Sequence, residues 1–116
     1  MEIYFRTNKL EKNCNSYQNA VKVWGERSAR RLVQRLNELR AAENLSVISH
    51  LPPARLHALE GDRLGTYAVD LVHPLRLVFR IDQEPLPHTQ DGGVDRTQVT
   101  QIMILEVEDY HGKQKR

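Results

Sequence analysis

The chain has 116 residues, 40% of them hydrophobic and 28% charged, with a formal net charge of +2 and one cysteine. That size suits a single domain over residues 1–116 that buries a core without staples, and the lone Cys14 reads as an idle thiol with no internal disulfide. No apolar run approaches a bilayer crossing and the N-terminal residues lack an apolar secretory segment, so a cytoplasmic protein with no membrane partner is expected.

The charge is unevenly spread. Arg27, Arg30, Arg31, Arg35 and Arg40 crowd one segment, while acidic groups gather in residues 82–95 and at Glu106, Glu108 and Asp109. Such a run is either a solvated helix face or a surface for RNA phosphates carried by Arg27, Arg30, Arg31 and Arg35.

In chain order, Met1-Glu2-Ile3-Tyr4-Phe5 alternates and reads as a short first strand. A helical pattern follows from Ser16 to Trp24, and Gly25 interrupts it. Residues 26–44 form the clearest helix, because Ala29, Leu32, Val33, Leu36 and Leu39 recur at three and four residues. Another short helical turn fits 44–48 before Pro52-Pro53 forces an extended path. Beyond the prolines the period changes to two. Strands are expected at 55–59, 66–72, 75–81 and 101–107, with residues 82–100 as a flexible loop insertion too rich in Pro, Gly and acid for a regular element.

Helices first and strands afterwards indicate an α+β fold, with N-terminal helices packed on one face of a small, mostly antiparallel twisted sheet. On the strand at 75–81, Leu75, Leu77, Phe79 and Ile81 turn toward the helices and Arg76, Val78 and Arg80 turn away.

His57 and Arg76 then fall on two of the expected strands and His111 just beyond a third. An imidazole gives or takes a proton near neutral pH, and a guanidinium holds a phosphate with a planar fork. RNA carries its own nucleophile, the 2′-OH. A protein that cuts it must take that proton, stabilise the crowded phosphorane and protonate the leaving 5′-oxygen. Either His57 or His111 suits the base, with the other as acid, and such help is worth roughly 10²–10⁴-fold. Arg76 suits the equatorial oxygens, Tyr110 offers a ring for base stacking, and Asp109 suits the orientation of a histidine. No residue spacing here matches a metal site, and no cofactor is expected.

The blocks Leu56-His57-Ala58-Leu59, Gly61-Asp62-Arg63, Gly65-Thr66-Tyr67-Ala68-Val69, Leu75-Arg76-Leu77-Val78-Phe79-Arg80 and Val107-Glu108-Asp109-Tyr110-His111 together resemble the plasmid-maintenance killer toxins, the HigB branch of the RelE/ParE superfamily. The resemblance implies a RelE/ParE-like fold and the toxin half of a type II toxin–antitoxin pair. It further implies a ribosome-dependent endoribonuclease that cuts mRNA, with His57, Arg76, Asp109, Tyr110 and His111 at the site. The partners it implies are the ribosome, mRNA and a helix-turn-helix, HigA-like antitoxin, with operator DNA bound only through the antitoxin complex. The chain departs from that pattern at Glu60, where the family usually has a lysine. Either Glu60 faces away, or Arg63 or Arg80 supplies the cation, or the nuclease is weak. Two other readings share the fold: a ParE-like inhibitor of DNA gyrase, which needs no His/Arg/His set, and a non-catalytic RNA-binding or interaction module.

Overall fold

A computed structural model describes residues 1–59 and 65–110. Its elements are β1 (Glu2–Phe5), α1 (Asn8–Asn15), α2 (Tyr17–Trp24), α3 (Glu26–Ala41), α4 (Leu45–Ser49), β2 (His57–Ala58), β3 (Thr66–Asp70), β4 (Leu75–Ile81) and β5 (Gln101–Asp109). The architecture is α+β, as expected.

Local chemistry sets the helix ends. Thr7 caps α1 by accepting a hydrogen bond on Oγ1 from the Leu10 amide at 3.1 Å. Ser16 separates α1 from α2 and caps the second helix through Oγ, 3.2 Å from the Asn19 amide. Gly25 parts α2 from α3 at a φ of +87°, a conformation that L side chains rarely adopt. The expected long helix stops at Ala41, where Ala42 turns extended, and the amide of Leu45 bonds instead to the carbonyl of Val99 at 3.0 Å. Helix α1 escapes the periodicity argument because its segment is polar apart from Leu10 and Cys14.

The strands form one sheet in the order β1-β5-β4-β3-β2. Pairings are antiparallel except that β1 runs parallel to β5, with Ile3 opposite Ile102. A parallel pair needs a crossover, and the helices supply it.

One face of the sheet carries the core. Leu32, Leu36, Leu39, Leu45 and Ile48 from the helices pack with Tyr67, Val69, Leu77, Phe79, Ile102 and Ile104. Burying a side chain of this size contributes about 1.5–3 kcal/mol. Tyr67 and Phe79, opposite one another on β3 and β4, stack with centroids 6.1 Å apart.

A register shift between β4 and β5 decides what faces the other way. Phe79 stands opposite Ile104 but Val78 stands opposite Glu106, so Leu105 is the extra residue of a bulge. Ile102 and Ile104 lie on the core side before it and Val107 after it. Glu106 and Glu108 are thereby turned to the side of Arg76 and Val78.

Three strands also differ from expectation in their bounds. Strand β2 is only two residues long, β3 ends at Asp70, and β5 runs on to Asp109. The 82–100 segment also holds local structure: a bridge between His88 and Val94 and a 3₁₀ turn at Arg96–Gln98. Gln83 fastens it by accepting from the amides of Thr100 and Gln101. Among the described residues, no helix is long and apolar enough to cross a membrane.

Candidate functional site: a cleft at the end of the sheet

A cleft of about 580 Å³ opens where β2, the β3–β4 turn and the end of β5 converge, and His57, His73, Arg76 and Tyr110 line it together with Arg55 and Asp70. Each side chain arrives there for a local reason.

His57 enters from β2, opposite Ala68, which in turn pairs with Val78. It is half-buried, and its Nδ1 lies 2.7 Å from the Arg55 carbonyl. A carbonyl only accepts, so a neutral His57 donates from Nδ1 and keeps its lone pair on Nε2. That tautomer makes Nε2 the basic nitrogen.

Arg76 comes from β4, as its alternation requires. Its Nε and Nη2 both donate to Oε2 of Glu108, at 2.6 and 2.5 Å. The side chain of Glu108 has no exposure and that of Arg76 has 13%. A charge-assisted bond in such a place fixes the guanidinium plane far more firmly than a solvent-facing pair does. The ring of Tyr110 covers the other side of Arg76, its centroid 4.4 Å from Cζ, a cation–π geometry. Tyr110 is itself held by its amide, which bonds to the Pro74 carbonyl at 3.0 Å.

The walls are clamped from below by Arg35. This arginine is 1% exposed and donates from Nε to the Asp70 carbonyl and from Nη2 to the Pro53 carbonyl, each at 2.7 Å. Its Nη1 pairs with Glu38 at 3.0 Å. Arg35 was expected on an RNA-binding surface with Arg27, Arg30 and Arg31, and its burial rules that out. Arg27 and Arg30 are exposed on α3 and Arg31 is half-buried.

Two other expected residues stand outside the lining of the cleft. Arg80 does not line the cleft, but pairs with Asp82 at 3.1 Å and reaches Met103 Sδ. Asp109 occupies the last position of β5 opposite Leu75 and also lies outside the cleft lining. Glu60, Arg63 and His111 fall outside the described residues.

The sequence reading missed Arg55, Asp70, His73 and Glu108. Asp70 is opposite Arg76 in register, yet its ion pair is with Arg55. A signal for His73 exists in hindsight: it stands three residues before Arg76, in the turn that starts the same strand.

Comparison with known proteins bears on the fold. No family model and no curated protein matches the sequence. The structure resembles the YoeB/ParE toxin from Agrobacterium tumefaciens, with a TM-score of 0.53 over 94% of this chain and 98% of that one, at 11% sequence identity. The chain has the YoeB/ParE toxin fold. In this toxin fold the cleft lies on the sheet face opposite the helices, where Arg76 and Glu108 project.

Proposed function

We propose that this chain is the toxin of a type II toxin–antitoxin system, a HigB-like endoribonuclease that cuts mRNA on the ribosome. The observation that carries the reading is the convergence of His57, Arg76 and Tyr110 on one cleft of a YoeB/ParE toxin fold. The alternative gyrase inhibitor has no use for an imidazole whose tautomer is set beside a guanidinium.

The chemistry follows from what each group can do. His57 Nε2 takes the proton of the RNA 2′-OH, and the 2′-oxygen attacks phosphorus. The bond from phosphorus to the 5′-oxygen breaks, leaving a 2′,3′-cyclic phosphate. A second imidazole returns a proton to the leaving 5′-oxygen, and His111, which the resemblance includes among the site residues, suits that role. Arg76 meets the charge that builds on the phosphorane oxygens, and loss of such a donor costs about 10²–10³-fold in rate. Tyr110 offers a stacking surface for a base beside the scissile phosphate. The message is ordered for cleavage by the ribosome, and the basic face of Arg27, Arg30 and Arg31 binds ribosomal RNA phosphates.

By the same resemblance the partner that silences the toxin is a helix-turn-helix antitoxin, and operator DNA is bound only as the pair. Induced expression in a bacterial host tests the reading. Growth arrest that His57→Ala or Arg76→Ala relieves supports it. Arrest that persists in both variants, or purified protein that blocks gyrase supercoiling, contradicts it.

A further inference from the structure

Arg55 is, among the described residues, the one residue other than glycine with a positive φ, at φ 49° and ψ 56°. A left-handed arginine is held there only where its surroundings dictate the turn. Here they do: the 3₁₀ turn Pro52–Ala54 precedes it, its amide bonds to the Pro52 carbonyl, and the buried Arg35 grips Pro53. The consequence is directional. The Arg55 carbonyl accepts from His57 Nδ1, while its side chain stands at the mouth of the cleft, 74% exposed.

That side chain has a partner it can leave. Its ion pair with Asp70 is a single Nε–Oδ2 contact at 3.4 Å, and an exposed pair of this kind holds little. Nε is thus occupied, and the Nη edge of the guanidinium is the side offered to a ligand. Asp70 is fixed through its own backbone by Arg35, so its carboxylate keeps a set place beside Arg55. The arrangement differs from Arg76, whose guanidinium is locked by Glu108 and Tyr110. Of the two arginines among the described lining residues, one is held firmly and the other is poised to move.

We propose that Arg55 is a phosphate-binding residue of the cleft, whose guanidinium exchanges Asp70 for an RNA phosphate adjoining the one held at Arg76. The inference rests on the reading of RNA as the substrate class, but it concerns binding, and its test does not need cleavage.

The test measures equilibrium binding of a short 2′-O-methyl RNA, which cannot be cut through the 2′-OH, by the full chain across a salt series. Thermal melts confirm that each variant is folded. Glycine accepts the left-handed turn, so Arg55→Gly keeps the carbonyl beside His57 and removes only the guanidinium. It is expected to weaken binding and to lower the slope of log K against log salt by about 0.7, the loss of one phosphate contact on a single strand. Arg55→Lys retains the slope with weaker binding. Asp70→Asn, whose carbonyl still serves Arg35, binds more tightly than the wild type. Wild-type affinity and slope in Arg55→Gly, no tightening in Asp70→Asn, or no RNA binding by the wild type at low salt would each overturn the proposal. Wild-type protein that binds RNA with these slopes yet never cuts mRNA on ribosomes overturns the nuclease reading and leaves this one standing.

Discussion

Arg76 and Glu108 meet across β4 and β5 through a single carboxylate oxygen, with the glutamate side chain wholly out of solvent. The pair works in two ways that pull apart. It aims the guanidinium, and it also neutralises part of the charge a phosphate would feel. Glu108→Ala leaves a nearly buried arginine without its counter-charge and is expected to cost about 3–5 kcal/mol of stability. The double replacement Arg76→Met with Glu108→Leu removes both charges and stays within about 1–2 kcal/mol of the wild type, yet loses cleavage. Urea denaturation paired with a cleavage assay checks both halves, and a double variant that still cuts would contradict the role of Arg76.

Arg35 is a stability residue that shapes the cleft from beneath. Arg35→Met strands the carbonyls of Pro53 and Asp70, while the partly exposed Glu38 still accepts from Gln34, and is expected to destabilise by about 2–5 kcal/mol. Because the guanidinium is 1% exposed, a folded variant should show the same salt dependence of RNA binding as the wild type. A shallower salt slope would place Arg35 on the RNA surface instead.

Tyr110 gives a cleaner separation of ring from hydroxyl. Tyr110→Phe retains the face over Arg76 and is expected to keep most activity. Tyr110→Ala loses both the cation–π contact and the stacking surface, for a fall of about tenfold or more in cleavage rate. Equal losses in the two variants would move the role to the hydroxyl.

Cys14 sets a pH expectation away from the site. Burial pushes its thiol up from 9.0 to about 11, with Arg40 pulling weakly the other way. The folded state therefore holds its proton longer than the unfolded state. Its stabilising contribution is complete below pH 9 and is lost as pH rises toward 11. Stability by urea denaturation should fall across that window, and the fall should be smaller in Cys14→Ala. Thiol labelling of the native protein at pH 8 should be slow and should accelerate in urea. Rapid native labelling would contradict the burial.

How much of this was legible in the sequence depends on the kind of signal. The apolar stripe of α3 is a face-to-core pattern, and Ala29, Leu32, Leu36 and Leu39 are indeed buried. The alternation of β4 likewise placed Leu77 and Phe79 in the core and Arg76 on the far face. What pattern reading does not carry is a change of phase. The bulge at Leu105 breaks the period of two, so Glu108 could not be assigned to the side of Arg76 without knowing the register of β5. Long-range hydrogen bonds are equally silent. Arg35 looks like its neighbours Arg30 and Arg31 in a helix rich in arginine, and only the carbonyls of Pro53 and Asp70 reveal its burial. Helix α1 is a further case, since a cap at Thr7 and tertiary packing of Leu10 and Cys14 form it without a long stripe. Arg55 hid inside what looked like a strand, because a left-handed turn at a non-glycine residue has no compositional mark.

The most direct measurement maps the 5′ ends of cellular mRNA by primer extension after brief induction of the wild type, His57→Ala and Arg76→Ala. The account predicts new 5′ ends within translated regions for the wild type alone, and none when translation initiation is blocked beforehand. No new ends in the wild type, the same ends in both variants, or efficient cutting of RNA free of ribosomes would contradict it.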